Sequence, residues 1–146
     1  MQVSLKPLSK EDLPLLLAWA WISEVWEYMP TSRRGERLTW EKHNKWFSER
    51  KWRSDWKIIV DGRAVGSIHI SNMDLDYPEI GLYIAEIPLW GEGVGRRAIE
   101  LVLKLYITMK KPGLHAVIHP NNKRSIRLFT GLGFMKIGGA RNGQDL

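Results

Sequence analysis

One stretch constrains the fold more than any other. It runs Glu79-Ile80-Gly81-Leu82-Tyr83-Ile84-Ala85-Glu86-Ile87-Pro88-Leu89-Trp90-Gly91-Glu92-Gly93-Val94-Gly95-Arg96-Arg97-Ala98. The pattern predicts a buried strand, a proline break, a glycine-rich turn and the start of an apolar helix. Gly91, Gly93 and Gly95 have no side chain to block the backbone. Their N–H groups can converge on an anion, and the following helix adds the positive end of its dipole. Arg96 and Arg97 add full charges. The stretch therefore reads as a pyrophosphate cradle after a strand; the plainer alternative is a tight connection whose glycines serve turn geometry only.

Two better-known phosphate loops do not fit. A Walker A loop requires Gly-Lys-Ser or Gly-Lys-Thr, whereas Gly95 is followed by Arg96. A dinucleotide fingerprint requires an acid about 20 residues on, in a first strand–helix unit. Here the spacing is Gly-x-Gly-x-Gly, it lies past mid-chain, and Leu101–Lys111 carries no acid.

The length of 146 residues suits a single domain, 1–146, with a proper core. The absence of cysteine excludes disulfides, a thiolate metal site and a cysteine nucleophile; no metal is expected. The longest apolar run, Leu13 to Ile22, contains Pro14 and is too short to span a bilayer. Met1-Gln2-Val3-Ser4-Leu5-Lys6 has no signal-peptide pattern. A cytoplasmic protein with no membrane partner is expected, as a monomer or homodimer. The net charge of +6 comes from scattered small basic clusters, without a long basic helix or zinc finger. A small phosphorylated ligand accounts for it as well as DNA does, and no nucleic-acid partner is expected. The eight tryptophans suit core packing, with several available to line a cleft.

Taken in order, Gln2–Lys6 predicts a strand, and Ser9 caps a helix with Pro14 in its first turn. A second helical piece is expected at Ser23–Tyr28, then a loop over Met29–Arg37 and a helix capped by Thr39. Trp56–Val60, Asp61-Gly62 and Ala64–Ile70 form a strong hairpin signal with a type I′ turn. Asn72–Pro78 is a second turn, and the strand holding Tyr83 is expected to be central. A helix over Val94–Met109 follows, with Ala98, Ile99, Val102, Leu105 and Tyr106 facing inward. Leu114–His119 predicts a strand, Pro120-Asn121-Asn122 opens a helix to Leu132, Gly133 stops it, and Phe134–Ile137 predicts a last strand. The fold class is α/β: an α/β/α sandwich with a mixed, mostly antiparallel central sheet.

This order resembles the GNAT (Gcn5-related N-acetyltransferase) superfamily. Trp90-Gly91-Glu92-Gly93-Val94-Gly95 resembles that family's Gln/Arg-x-x-Gly-x-Gly/Ala loop, with Trp90 where Gln or Arg is commonest. Asn122-Lys123-Arg124-Ser125 followed by Leu128-Phe129-Thr130-Gly131-Leu132-Gly133-Phe134 is similar to its N-x-x-S/A helix ending in Gly-Phe. The likeness covers nearly the whole chain, departing only in the short tail after Ile137, where Arg141–Leu146 leaves room for no more than a stub of the family's last strand.

The resemblance implies acetyl-CoA as donor and a primary amine as acceptor, on a protein N-terminus, an amino sugar or a small amine. The alternative is a non-catalytic acyl-CoA-binding or regulatory domain of the same fold. The pyrophosphate is expected on the N–H groups of Gly93, Val94, Gly95 and Arg96, with Gly91 letting the loop close and Glu92 pointing outward. Asn122 and Ser125 join the donor site, and the pantetheine arm is expected along Leu82, Tyr83 and Ile84, where this strand splays from Leu114–His119. Arg96, Lys123 or Arg124 can reach the 3′-phosphate, which carries about −1.5 to −2 charges. For direct attack of the amine on the thioester, Glu79 is the first candidate base, with His69 and His43 behind it. The Tyr83 N–H is the expected oxyanion donor. Phe129 stands where many relatives carry a tyrosine, which leaves Ser125 as the hydroxyl for proton return. Acceptor contacts are expected from Tyr28, Trp40 and His43, with Trp26, Arg33, Arg34 and Trp46 nearby.

Overall fold

A computed structural model describes residues 1–28 and 39–138. Arg33, Arg34 and the tail Arg141–Leu146 lie outside the described residues. Strands β1 (Val3–Pro7), β2 (Ser54–Val60), β3 (Arg63–Ser71) and β4 (Glu79–Ile84) form an antiparallel sheet in the order β1-β2-β3-β4. The helices are α1 (Leu13–Trp19), α2 (Trp40–Ser48), α3 (Val94–Tyr106) and α4 (Lys123–Gly131). No described helix is long and apolar enough to cross a membrane.

Alternation along the strands separates two layers. On one face Ile58, Val60, Ile68, Ile70 and Ile80 are buried against Val94, Ala98, Ile99 and Val102 of α3 and Phe129 of α4. Each such large side chain contributes roughly 1.5–3 kcal/mol relative to exposure. On the other face Leu8, Leu16, Trp19 and Ala85 form a second cluster, packed with Trp46, Phe47 and Tyr83. The result is the expected α/β/α arrangement.

Local chemistry accounts for the turns and caps. Asp61 (φ 47°) and Gly62 (φ 88°) both take positive φ, as a type I′ turn requires. The Ser9 N–H donates to the Asp12 carboxylate at 2.9 Å, fixing the turn before α1. The Lys42 N–H donates to the Thr39 hydroxyl at 3.2 Å, capping α2. The α3 helix ends at Tyr106 and tightens into one 3-10 turn, Ile107–Met109.

Three expected elements are corrected. Ser23–Tyr28 forms turns rather than a helix. Leu114–His119 is not a strand: it meets β4 at one parallel bridge, Glu79 with His115. That bridge is the one parallel pairing among the described residues; the four strands themselves pair antiparallel throughout. Phe134–Ile137 also forms no strand, and Met135 and Ile137 are largely exposed.

Candidate active site

The glycine loop takes its shape from two backbone conformations. Gly91 (φ 81°) and Gly93 (φ 86°) are left-handed, a region costly for other residues. Gly93 is the N-cap of α3, and helical bonding resumes with the Arg97 N–H donating to the Gly93 carbonyl at 3.1 Å. The N–H groups of Gly93, Val94, Gly95 and Arg96 have no protein acceptor among the described residues. They are the four orphan donors of a helix start, gathered at the positive end of a 13-residue helix. All four residues line a cleft of about 910 Å³. Exposed Glu92 does not line it, so its carboxylate does not oppose an anion there. This donor set fits a pyrophosphate.

The cleft runs from the loop along the open edge of β4. The Ile80 N–H donates to the His115 carbonyl at 2.9 Å, and the His115 N–H donates to the Pro78 carbonyl at 2.9 Å. Beyond His115 no backbone hydrogen bond joins β4 to residues 116–119 among the described residues. The two segments part there, leaving an edge that a peptide-like arm can pair with.

Parity decides which groups face that edge. Ile80 donates toward His115, whereas Ala85, of opposite parity, donates to Val65 of β3 at 2.7 Å. Alternation therefore turns the N–H groups of Leu82 and Ile84 to the open side and that of Tyr83 to β3, opposite Ser67. The expected use of the Tyr83 N–H at the splay is corrected on this ground. The Tyr83 ring lies on the α1 side, 6.0 Å from Trp19 and 5.0 Å from Trp26. The Ile84 carbonyl, also on the open side, accepts the Trp90 indole N–H at 2.8 Å.

The second motif meets the loop from α4. The Asn122 side chain caps that helix by accepting the Ser125 N–H at 3.3 Å. Asn122, Arg124 and Ser125 all line the cleft. The Arg124 guanidinium lies over the Trp90 ring at 3.7 Å, joining α4 to the loop. Arg96 extends toward the end of α4, where a Cβ on Gly131 would lie 3.6 Å from its Nη1. Phe129 is buried and edge-packed on Phe134 at 5.0 Å, so the position carries no hydroxyl.

At the far end, Glu79 and His69 line the same cleft, and the His69 ring lies against Gly81. Tyr28 lines it 5.4 Å from the His119 ring, and buried His43 lines it stacked on Trp46 at 5.4 Å. Trp40 does not: it is 45% exposed in the first turn of α2 and lies outside the cleft. Asp55, nearly fully buried, is held by Arg50 Nη1 at 2.9 Å and Arg53 Nη2 at 2.8 Å. His115, not singled out from the sequence, stands beside Glu79, with Nε2 3.5 Å from Oε1. Only its place in the Leu114–His119 run, next to the cradle strand, pointed to it.

The acetyltransferase (GNAT) domain family matches residues 2–135. An uncharacterized protein of Methanocaldococcus jannaschii is 37% identical over 139 residues, which is 92% of this chain. The chain spans 28% of the length of that relative. The crystal structure of a domain from the same organism is 36% identical, covers 99% of this chain and 95% of its own, and superimposes with a TM-score of 0.92. The aminoglycoside acetyltransferase AAC(6')-Ib with coenzyme A and kanamycin (18% identity, TM-score 0.82) covers 99% of this chain and 91% of its own. The same coverage holds for spermidine N-acetyltransferase of Vibrio cholerae with CoA and spermine (16% identity, TM-score 0.81). At these identities the last two likenesses speak to fold alone.

Proposed function

This chain belongs to the acetyltransferase (GNAT) family, and we propose that residues 1–146 act as one domain transferring an acetyl group from acetyl-CoA to a primary amine. The observation that carries this reading is the run of four N–H groups, Gly93 to Arg96, that have no protein acceptor among the described residues and open into the cleft. The acceptor is an amine on a peptide N-terminus, an amino sugar or a small amine.

In this reading Gly93, Val94, Gly95 and Arg96 hold the pyrophosphate, and Arg96 and Arg124 add charge toward the phosphates. The Ile84 N–H and the Leu82 carbonyl take the pantetheine amides. The bound donor supplies an activated acetyl thioester. The Leu82 N–H, rather than that of Tyr83, is placed to stabilise charge on the carbonyl oxygen. A lysine-type amine, with a pKa near ~10, is mostly protonated at neutral pH and must lose a proton before it attacks; Glu79, at the start of β4, belongs to the group that receives it. Ser125 returns a proton to the thiolate, a tolerable leaving group even without one since its free pKa is near ~8.5. Tyr28 and His43 contact the acceptor.

Titration with acetyl-CoA, then measurement of free CoA released with peptides, amino sugars and polyamines, tests the reading. Amine-dependent release of CoA supports it. Binding without release for every amine favours a non-catalytic acyl-CoA-binding domain, a reading to which Phe129 lends some weight. Failure to bind overturns both.

A further inference from the structure

We propose that His115 is a catalytic residue, the group that takes the proton from the acceptor amine, with Glu79 as its partner. This rests on the acetyltransferase reading above and deepens it.

The tautomer of His115 follows from its surroundings. Its Nδ1 lies 2.7 Å from the Tyr77 carbonyl oxygen. A carbonyl can only accept, so Nδ1 carries the hydrogen, and in the neutral ring Nε2 then holds the lone pair. That lone pair faces Glu79 Oε1 at 3.5 Å. Two acceptors at this separation form a fork for an ammonium group, which can donate one N–H to each. Both side chains line the cleft, His115 being 26% and Glu79 34% exposed, so a ligand can reach them.

The pair is also held where the chemistry is expected. Backbone bonds fix His115 on both sides, through its carbonyl to Ile80 and its N–H to Pro78. The Glu79–His115 bridge is the last joined point before the open edge. Five residue steps of about 3.3 Å place Glu79 roughly 17 Å from Ile84, the end of β4 nearest the glycine loop. An extended arm anchored at that loop and laid along the edge thus brings its far end toward His115. Among the described residues, the titratable residues in contact with His115 are Glu79 on β4 and Tyr77 in the preceding turn, and His69 of β3 lines the same cleft beside Gly81. Arg53 and Asp55, in the same cleft, are bonded to each other.

The ammonium gives one proton to Nε2, and the imidazolium N–H then donates to the Glu79 carboxylate. The freed nitrogen lone pair attacks the thioester carbonyl carbon. The C–N bond forms, the C–S bond breaks, and its electron pair leaves on sulfur. The second proton lost from nitrogen goes to the thiolate. One proton remains on the His115–Glu79 pair until solvent removes it.

His115→Asn tests this, because asparagine keeps a donor for the Tyr77 carbonyl and lacks Nε2. The expected result is a fall in kcat of about 100-fold, the scale of general-base loss, with the acetyl-CoA Kd unchanged. The acid-side fall of kcat/KM should move to lower pH, since only carboxylates remain to take the proton. Nitrogen NMR of the parent ring should show a protonated Nδ1 and a bare Nε2. The reverse tautomer, or a His115→Asn variant with parental rate and pH profile, overturns the assignment while leaving the acetyltransferase reading intact. A parent that acetylates no amine overturns both.

Discussion

The Arg124 guanidinium lies over the Trp90 ring at 3.7 Å, while the indole N–H of Trp90 donates to the Ile84 carbonyl at 2.8 Å. One side chain thus ties the last residue of β4, the glycine loop and the first turn of α4 together. The ring contact contributes about 1 kcal/mol and the hydrogen bond about 1 kcal/mol. Trp90→Leu should destabilise the free protein by about 2 kcal/mol in urea unfolding. Arg124→Met keeps the stem and loses only the ring contact, so its cost should be about half. Unequal arms that reverse this order would show that the contact does not hold the loop.

Gly93 and Gly62 make a matched pair for testing the cradle. Both sit at strongly positive φ, 86° and 88°, and a Cβ on either would meet nothing within 4 Å. Substitution by alanine therefore costs backbone strain alone, about 1–2 kcal/mol at each. Gly62 lies in the β2–β3 turn and does not line the cleft. Gly93→Ala should lose both stability and acetyl-CoA affinity by calorimetry, Gly62→Ala only stability. Equal affinity in the two variants would remove Gly93 from the donor site.

Tyr28 and Trp40 are separated by the structure though the sequence grouped them. Tyr28 lines the cleft, whereas Trp40 is 45% exposed outside it. Tyr28→Ala should raise the acceptor KM several-fold, as loss of about 1 kcal/mol of contact predicts. Trp40→Ala should leave acceptor and donor KM unchanged. A rise in acceptor KM for Trp40→Ala would place the acceptor outside the cleft described.

These residues also show what the sequence carries and what it does not. The Asp61-Gly62 hairpin and the β4–loop–α3 unit were legible because their signals are local: turn residues, alternation and helical spacing within a few positions. Leu114–His119 has the apolar residues of a strand, yet a ladder needs a neighbour that stays parallel to it, and β4 diverges after His115. The direction of the Tyr83 N–H is set by register with Ser67, a matter of one residue that composition does not encode. His115 acquires its tautomer from the Tyr77 carbonyl, 38 positions away in sequence. Trp40 has the spacing of an inward residue, but it occupies the first position of α2 and is 45% exposed.

Asp12 gives the fold an acid-sensitive tie away from the cleft. Burial opposes its charge, but hydrogen bonds from Lys57 Nζ at 2.9 Å and the Ser9 N–H at 2.9 Å outweigh burial and hold its carboxyl below the ordinary value of 3.8. Because the folded value is the lower one, the native state keeps the charge to lower pH than the unfolded chain does. The stabilisation is full above the unfolded value and is lost as pH falls through the folded one. Asp12→Asn lacks the charge at every pH. Urea unfolding should therefore show the parent more stable near neutrality, with the gap between the two proteins narrowing below pH 3.8. A gap that stays constant, or widens as the pH falls, would mean that the Lys57–Asp12 pair adds no charge-dependent stability, and that α1 is held to the sheet by its apolar contacts alone.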